Sequence, residues 1–205
     1  MKKTGIFLAV VMLVPLSLSQ EATYEQTRKW IVPKITDEAG STIHIPGRPP
    51  YVSSTNITTS YEHVSMDECK LQFTAVVFNS GLQITGPVSD TTKPTITTHA
   101  VSIPLDKVVS VKVAPHTFRQ DKDSQTVVVD QHNVSISAST NVITSKRTEK
   151  RGDEVLSQEV DRPTSTETIS FGRSPATDAE TANRMQKALS RAVSLCTRVK
   201  DKEPF

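Results

Sequence analysis

Apolar and polar positions alternate along this chain in two periods. Tyr24, Thr27, Ile31 and Ile35 recur three or four residues apart, with Trp30 adjacent, which is the period of one helix face. Thr23 with Gln26 three residues on supplies a capping box, and Gly40 supplies a stop. The spacing predicts a short helix over 23–38, with Pro33 expected to kink or shorten it. Ile43 to Pro50 (Ile-His-Ile-Pro-Gly-Arg-Pro-Pro) reads as an extended linker.

The period then drops to two. Ile57, Thr59 and Tyr61 alternate within Asn56–Val64. Cys69, Leu71, Phe73, Ala75 and Val77 alternate with Lys70, Gln72 and Thr74 in a strand running to Phe78. Ser65–Glu68 reads as the hairpin turn between these two. Further strands are expected over Ile96–Leu105, around Val109, Val111 and Val113, over Thr126–Val129, over Val134–Ile143, and at Ile169 and Phe171. Lys146–Thr166 is polar and charged and reads as an excursion between strands or a mobile loop.

The last helix is the best specified. Pro175 breaks what precedes, Thr177 is placed to cap, and Glu180 completes a capping box. Ala182, Met185, Leu189, Ala192, Val193, Cys196 and Val199 fall within about a 120° arc at 3.6 residues per turn. Arg184, Lys187, Arg191 and Arg198 lie on the opposite side. The fold class expected is therefore α+β: an antiparallel meander or bent sheet, packed by a C-terminal amphipathic helix, with a short N-terminal helix.

This order of elements resembles the pleckstrin-homology-like domains, in which a strongly bent sheet is closed by a C-terminal helix. The resemblance spans about residues 50–200 and lies in the architecture. In that family a basic loop between the first two strands often binds phosphoinositide. The corresponding turn here, Met66-Asp67-Glu68, is acidic, so that ligand does not carry over.

The N-terminus changes the compartment. Lys2 and Lys3 precede an apolar run from Ile6 to Leu16, and Ser17-Leu18-Ser19 follows with small residues at the −3 and −1 positions. This reads as a signal peptide over 1–19, cleaved between Ser19 and Gln20. The run is short of the ~20 residues that span a bilayer. The mature chain is thus expected in a periplasm or outside the cell, with no transmembrane segment. The expected organisation is a helix and Pro-rich linker over 20–50, one α+β domain over 51–200 and a tail over 201–205.

Charge follows from the same segment. The 205-residue chain carries 24 Lys and Arg against 22 Asp and Glu. The excess is Lys2 and Lys3, so the mature chain is neutral and has no global attraction for nucleic acid. Ser and Thr number 48, which favours strands and polar loops over helices.

Cys69 and Cys196 are the only cysteines. In an oxidising compartment two cysteines usually pair. Both fall on apolar faces aimed at one core, so a Cys69–Cys196 disulfide is expected, the alternative being two buried thiols.

Chemistry is sparse. The five histidines, His44, His63, His99, His116 and His132, are scattered, and neither an HExxH nor a paired CxxC occurs. His63 with Asp67 and Glu68 comes nearest to a cluster but reads better as a polar turn. Asp121, Asp123 and Gln125 imitate the start of a calcium loop, which fails at Thr126, where Gly is needed, and at His132, where Glu is needed. No GxSxG is present. Arg151-Gly152-Asp153 resembles the integrin-recognition tripeptide, and Asn56-Ile57-Thr58 and Asn133-Val134-Ser135 are glycosylation sequons in a eukaryotic host. All three are common by chance. No metal, cofactor or catalytic residue is expected.

The reading that follows is an exported, non-catalytic domain binding a protein or envelope component. One alternative is an anionic lipid or glycan binder using Arg184, Lys187, Arg191 and Arg198. Another is an envelope hydrolase whose triad assembles across loops.

Overall fold

A computed structural model describes residues 22–45, 52–81, 83–85, 93–122, 125–173 and 175–200. Within these, only the backbone is described at 52–53, 83–85, 118–122, 125–129, 175–177 and 199–200. The expected signal peptide and its cleavage site, Pro46–Pro50 of the expected linker, the tail and the side chains of the calcium-like segment lie outside the described residues.

Helix α1 runs over Tyr24–Glu38. Thr23 and Gln26 form the expected reciprocal cap: the Gln26 amide donates to Thr23 Oγ1 at 3.2 Å, and the Thr23 amide donates to Gln26 Oε1 at 2.8 Å. Thr27, Ile31 and Ile35 make its buried face. Pro33 lies inside the helix and does not end it. It sits on the exposed side, where water can satisfy the carbonyl that a proline ring leaves without its amide partner.

Strand β1, Gly40–Ile45, follows after one residue, so the first part of the expected linker is strand. Gly40 has φ +128°, and a Cβ there would lie 2.4 Å from the Thr59 carbonyl oxygen. Only glycine lets the chain leave the helix and pair at once.

Next come β2 (Val52–Asp67), β3 (Lys70–Asn79), β4 (Gln83–Thr85) and β5 (Thr95–Pro104). A 3-10 turn at Leu105–Lys107 leads to β6 (Val108–Lys122) and β7 (Gln125–Ala138). The two strands expected over 126–143 are thus mostly one, and Ile143 stands apart in an isolated bridge to Thr164. Lys146–Thr166 holds a second hairpin, β8 (Thr144–Arg151) and β9 (Glu154–Val160), turning at Gly152 with φ +61°. Strand β10, Thr166–Gly172, precedes helix α2, Pro175–Lys200. Because α2 begins at Pro175, Thr177 lies within the helix rather than capping it. Proline suits a first helical position, since its missing N–H is unpaired there anyway.

The sheet order is β6-β7-β10-β1-β2-β3-β5-β8-β9, with β4 on β2. Pairing is antiparallel except at β1–β10, which is parallel. The fold is the expected α+β class. Its core joins Ile31 and Ile35 of α1, Leu71 and Phe73 of β3, Ile136 of β7 and Phe171 of β10 to Met185 and Leu189 of α2. Residues before 51 therefore share one core with those after it. The buried stripe of α2 is Ala182, Met185, Leu189, Ala192 and Cys196, as its periodicity implies. Among the described residues no helix is long and apolar enough to cross a membrane.

Cys69 and Cys196 are bonded, 5.6 Å apart at Cα and 127 residues apart in sequence. Cys69 is not in a strand. Glu68 and Cys69 form the β2–β3 turn, with φ of 47° and 58°, the left-handed pair that a two-residue hairpin needs. The turn is centred two residues later than Ser65–Glu68 suggested. Two contacts hold it: the Cys69 amide donates to Tyr24 Oη at 3.2 Å, and its carbonyl accepts from the Leu105 amide at 2.8 Å.

Replacing both cysteines by serine is expected to lower the unfolding free energy by about 2–5 kcal/mol in a urea titration of the oxidised protein. Gly40→Ala is expected to cost more than about 2 kcal/mol in the same assay, since strain and the Thr59 contact act together.

Candidate functional site

The basic residues expected on α2 are largely drawn into the fold. The Arg184 guanidinium lies 5.5 Å from the Trp30 ring centroid and 3.9 Å from Glu180. Arg191 donates from Nε and Nη2 to the Ala22 carbonyl, both at 3.4 Å. Arg198 also has a partner in the chain. Lys187 is exposed. Arg184 and Arg191 thus bind the N-terminal part of the chain to α2.

A charged cleft of about 380 Å³ separates the end of α1 from the start of α2, lined by Asp37, Glu38, Arg173, Asp178, Thr181 and Arg184 among others. Its groups serve one another. Arg173 donates to the Asp37 carbonyl at 3.2 Å, Thr181 Oγ1 to Glu38 at 3.3 Å, and Lys34 pairs with Glu38. The cleft reads as a polar seam between helices.

His99, Ser145, Asp161 and Glu167 come together on the core side of β5 and β8. His99 on β5 and Ser145 on β8 project from the same side, since Val101 pairs with Ser145 and His99 with Arg147. Ser145 Oγ donates to Asp161 Oδ2 at 2.5 Å, and His99 Nδ1 lies 3.9 Å from that same oxygen. This is the order serine, carboxylate, imidazole. Nucleophilic catalysis needs the imidazole in the middle, to take the hydroxyl proton, with the carboxylate behind it. A carboxylate that only accepts a hydrogen bond leaves the hydroxyl un-ionised, so the cluster is not built as a hydrolase triad.

Glu167 has its carboxyl pushed above the ordinary range, chiefly by burial. The Thr168 amide and His99 work against the shift, and Asp161 adds to it. Among the described residues no three His, Cys, Asp or Glu side chains group to hold a metal ion. His63 sits in a β2 bulge at φ 51°, and Asp67 pairs with Arg28 at 2.8 Å, so that trio does not converge either.

The remaining feature is a bare sheet face. Leu71, Phe73, Val101 and Ile103 turn into the core. The residues between them point the other way, and both helices pack on the core side. Register runs Phe78↔Ile96↔Lys150↔Val155 across β3, β5, β8 and β9. Phe78, Ile96 and Val155 are 40%, 36% and 53% exposed. Thr98 and Thr148 pair in the next row but one, with Gln158 beyond. Ile96, Thr98, Thr148, Lys150, Val155 and Gln158 enclose a groove of about 500 Å³.

The sequence reading missed this face, although it carries a signal. Phe78 is out of phase with Leu71, Phe73, Ala75 and Val77 in its own strand, and Ile96 is out of phase with Val101 and Ile103. An apolar residue on the wrong beat of a strand is one that the core cannot take.

Comparison with protein-family models, with curated proteins and with solved structures finds no match for this chain.

Burial sets the sign of one pH effect. Glu167 binds its proton more tightly folded than unfolded, so its favourable state is complete below about pH 4.5 and is lost as pH rises through the higher folded pKa. Glu167→Gln keeps the acceptor for Thr168 and removes the charge. The melting temperature of the variant minus that of the parent should be near zero at pH 4 and rise to a positive plateau at neutral pH. A difference that stays flat or turns negative would contradict the assignment.

Proposed function

We propose that this chain is an exported, non-catalytic binding domain that docks a protein or cell-envelope component on the bare face of β3, β5, β8 and β9. The observation that carries the reading is the exposed apolar row Phe78, Ile96 and Val155, in register beside a groove and opposite the core. Apolar side chains aligned on an uncovered sheet face mark an interaction surface more often than scattered single ones do. The signal-peptide pattern at the N-terminus and the disulfide both accord with export.

The competing readings have less support. The basic face of α2 spends Arg184 on Trp30 and Glu180, and Arg191 on Ala22. The one serine–histidine–carboxylate grouping noted above has its members in the wrong order for acyl transfer.

Site-directed photocrosslinking in the native cells tests this. A benzophenone side chain at Ile96 is expected to give one dominant adduct, and the same probe at Lys187 on α2 is expected to give none. Ile96→Asp should abolish the interaction and move the melting temperature by little, because the position contributes nothing to the core. A dominant adduct from Lys187 instead would transfer the function to the helix.

A further inference from the structure

On β3, β5, β8 and β9 the bare face carries charge of one sign. Side chains that point outward from β3, β5, β8 and β9 follow from the register. They include Lys70, Lys146 and Lys150 and, among the described residues of these four strands, no carboxylate. Arg147, Glu149 and Glu159 belong to the opposite side of the same strands. These four strands thus place positive charge beside the exposed apolar row, with Glu62 and Asp67 of β2 on the same face only at its β3 border.

The groove geometry narrows the occupant further. Strand β8 is the floor, with Thr148 at its centre and Lys146 and Lys150 two residues to either side. Ile96 on β5 and Val155 on β9 wall the groove at its Lys150 end, two strand spacings or about 10 Å apart, while Thr98 and Gln158 flank Thr148. That width admits a single extended chain. The two lysines are four residues apart, about 13 Å along the strand. A chain lying along β8 with the same rise presents every fourth residue at that interval, and Thr98, Thr148 and Gln158 offer hydroxyl and amide partners between.

We propose, on the docking face assigned above, that the occupant of this groove is an acidic extended segment of a partner protein. Two carboxylates four residues apart meet Lys146 and Lys150, and a small apolar side chain midway between them lies over Thr148, with Ile96 and Val155 two residues along, on either side of Lys150. A second copy of this chain seated groove to groove is the wrong occupant, since a twofold axis through the groove brings these lysines together. A concave groove one chain wide also fits a segment better than a flat lipid surface.

The test is an NMR titration of the isotope-labelled mature chain with a synthetic nonapeptide carrying glutamates four residues apart around a central valine. Shifts are expected at Thr98, Thr148 and Val155, weakened by about 0.3 M salt. Lys146→Glu/Lys150→Glu is expected to weaken binding about tenfold, since each reversal replaces an attraction by a repulsion of ordinary surface size. Lys146→Ala/Lys150→Ala should fall between, with melting temperatures unchanged. Equal binding of the lysine counterpart of the peptide, shifts confined to another surface, or displacement by vesicles of anionic phospholipid would each overturn the acidic-segment proposal. If the Ile96 crosslink in cells persists unchanged in the double lysine-to-glutamate variant, the docking face stands and its acidic occupant does not. If Ile96→Asp leaves peptide binding unchanged, the docking face itself fails.

Discussion

Two helices cannot cover this sheet. Nine strands in one order span roughly 38 Å at 4.8 Å per spacing, and each helix is about 10 Å wide. Side-chain placement follows from that mismatch. Where α1 and α2 lie, β2, β3, β7 and β10 turn Met66, Leu71, Ile136 and Phe171 inward, and those residues are fully buried. Towards β8 and β9 no helix is left to receive an apolar face: β8 carries lysine, arginine, glutamate and threonine, and Val155, Leu156 and Val160 of β9 stay exposed. The Cys69–Cys196 bond fixes α2 to the turn of the β2–β3 hairpin and so holds the end of the long helix on the part of the sheet it does cover.

The sequence was most legible where local chemistry and the core agree. The cap at Thr23 and Gln26, the face formed by Thr27, Ile31 and Ile35, and the arc from Ala182 to Cys196 all occur as read, because each depends on helical spacing alone. Strand β5 was visible because Val101 and Ile103 alternate into one core. The β8–β9 hairpin was not visible. Its residues project beyond the helix layer, so no apolar alternation marks them, and its turn rests on Gly152 within a charged run. The parallel contact of β1 with β10 joins segments some 130 residues apart, and nothing local encodes such a pairing.

The candidate site was legible only in part. The disulfide was readable because two cysteines each fell on an apolar face, although Cys69 occupies a left-handed turn position rather than a strand. The docking face required register. Phe78, Ile96 and Val155 lie far apart in sequence and become neighbours only through pairing. The basic residues of α2 illustrate the opposite case. Their pattern was plain, yet Trp30 and the Ala22 carbonyl, which take up Arg184 and Arg191, come from another element that no helical wheel displays.

The bond between Cys69 and Cys196 also has a mechanical meaning. It closes residues 70–195 into a covalent loop. Tension applied between the two ends of the chain passes from residue 69 to residue 196 through sulfur and bypasses everything between. A pull can unravel α1, β1, β2 and the last residues of α2, while the strands carrying the bare face stay outside the load path. From Ala22, about 50 residues can extend, roughly 170 Å at full stretch, where the reduced chain would yield more than three times that length. A domain held at one end and loaded at the other would keep β3, β5, β8 and β9 out of that path.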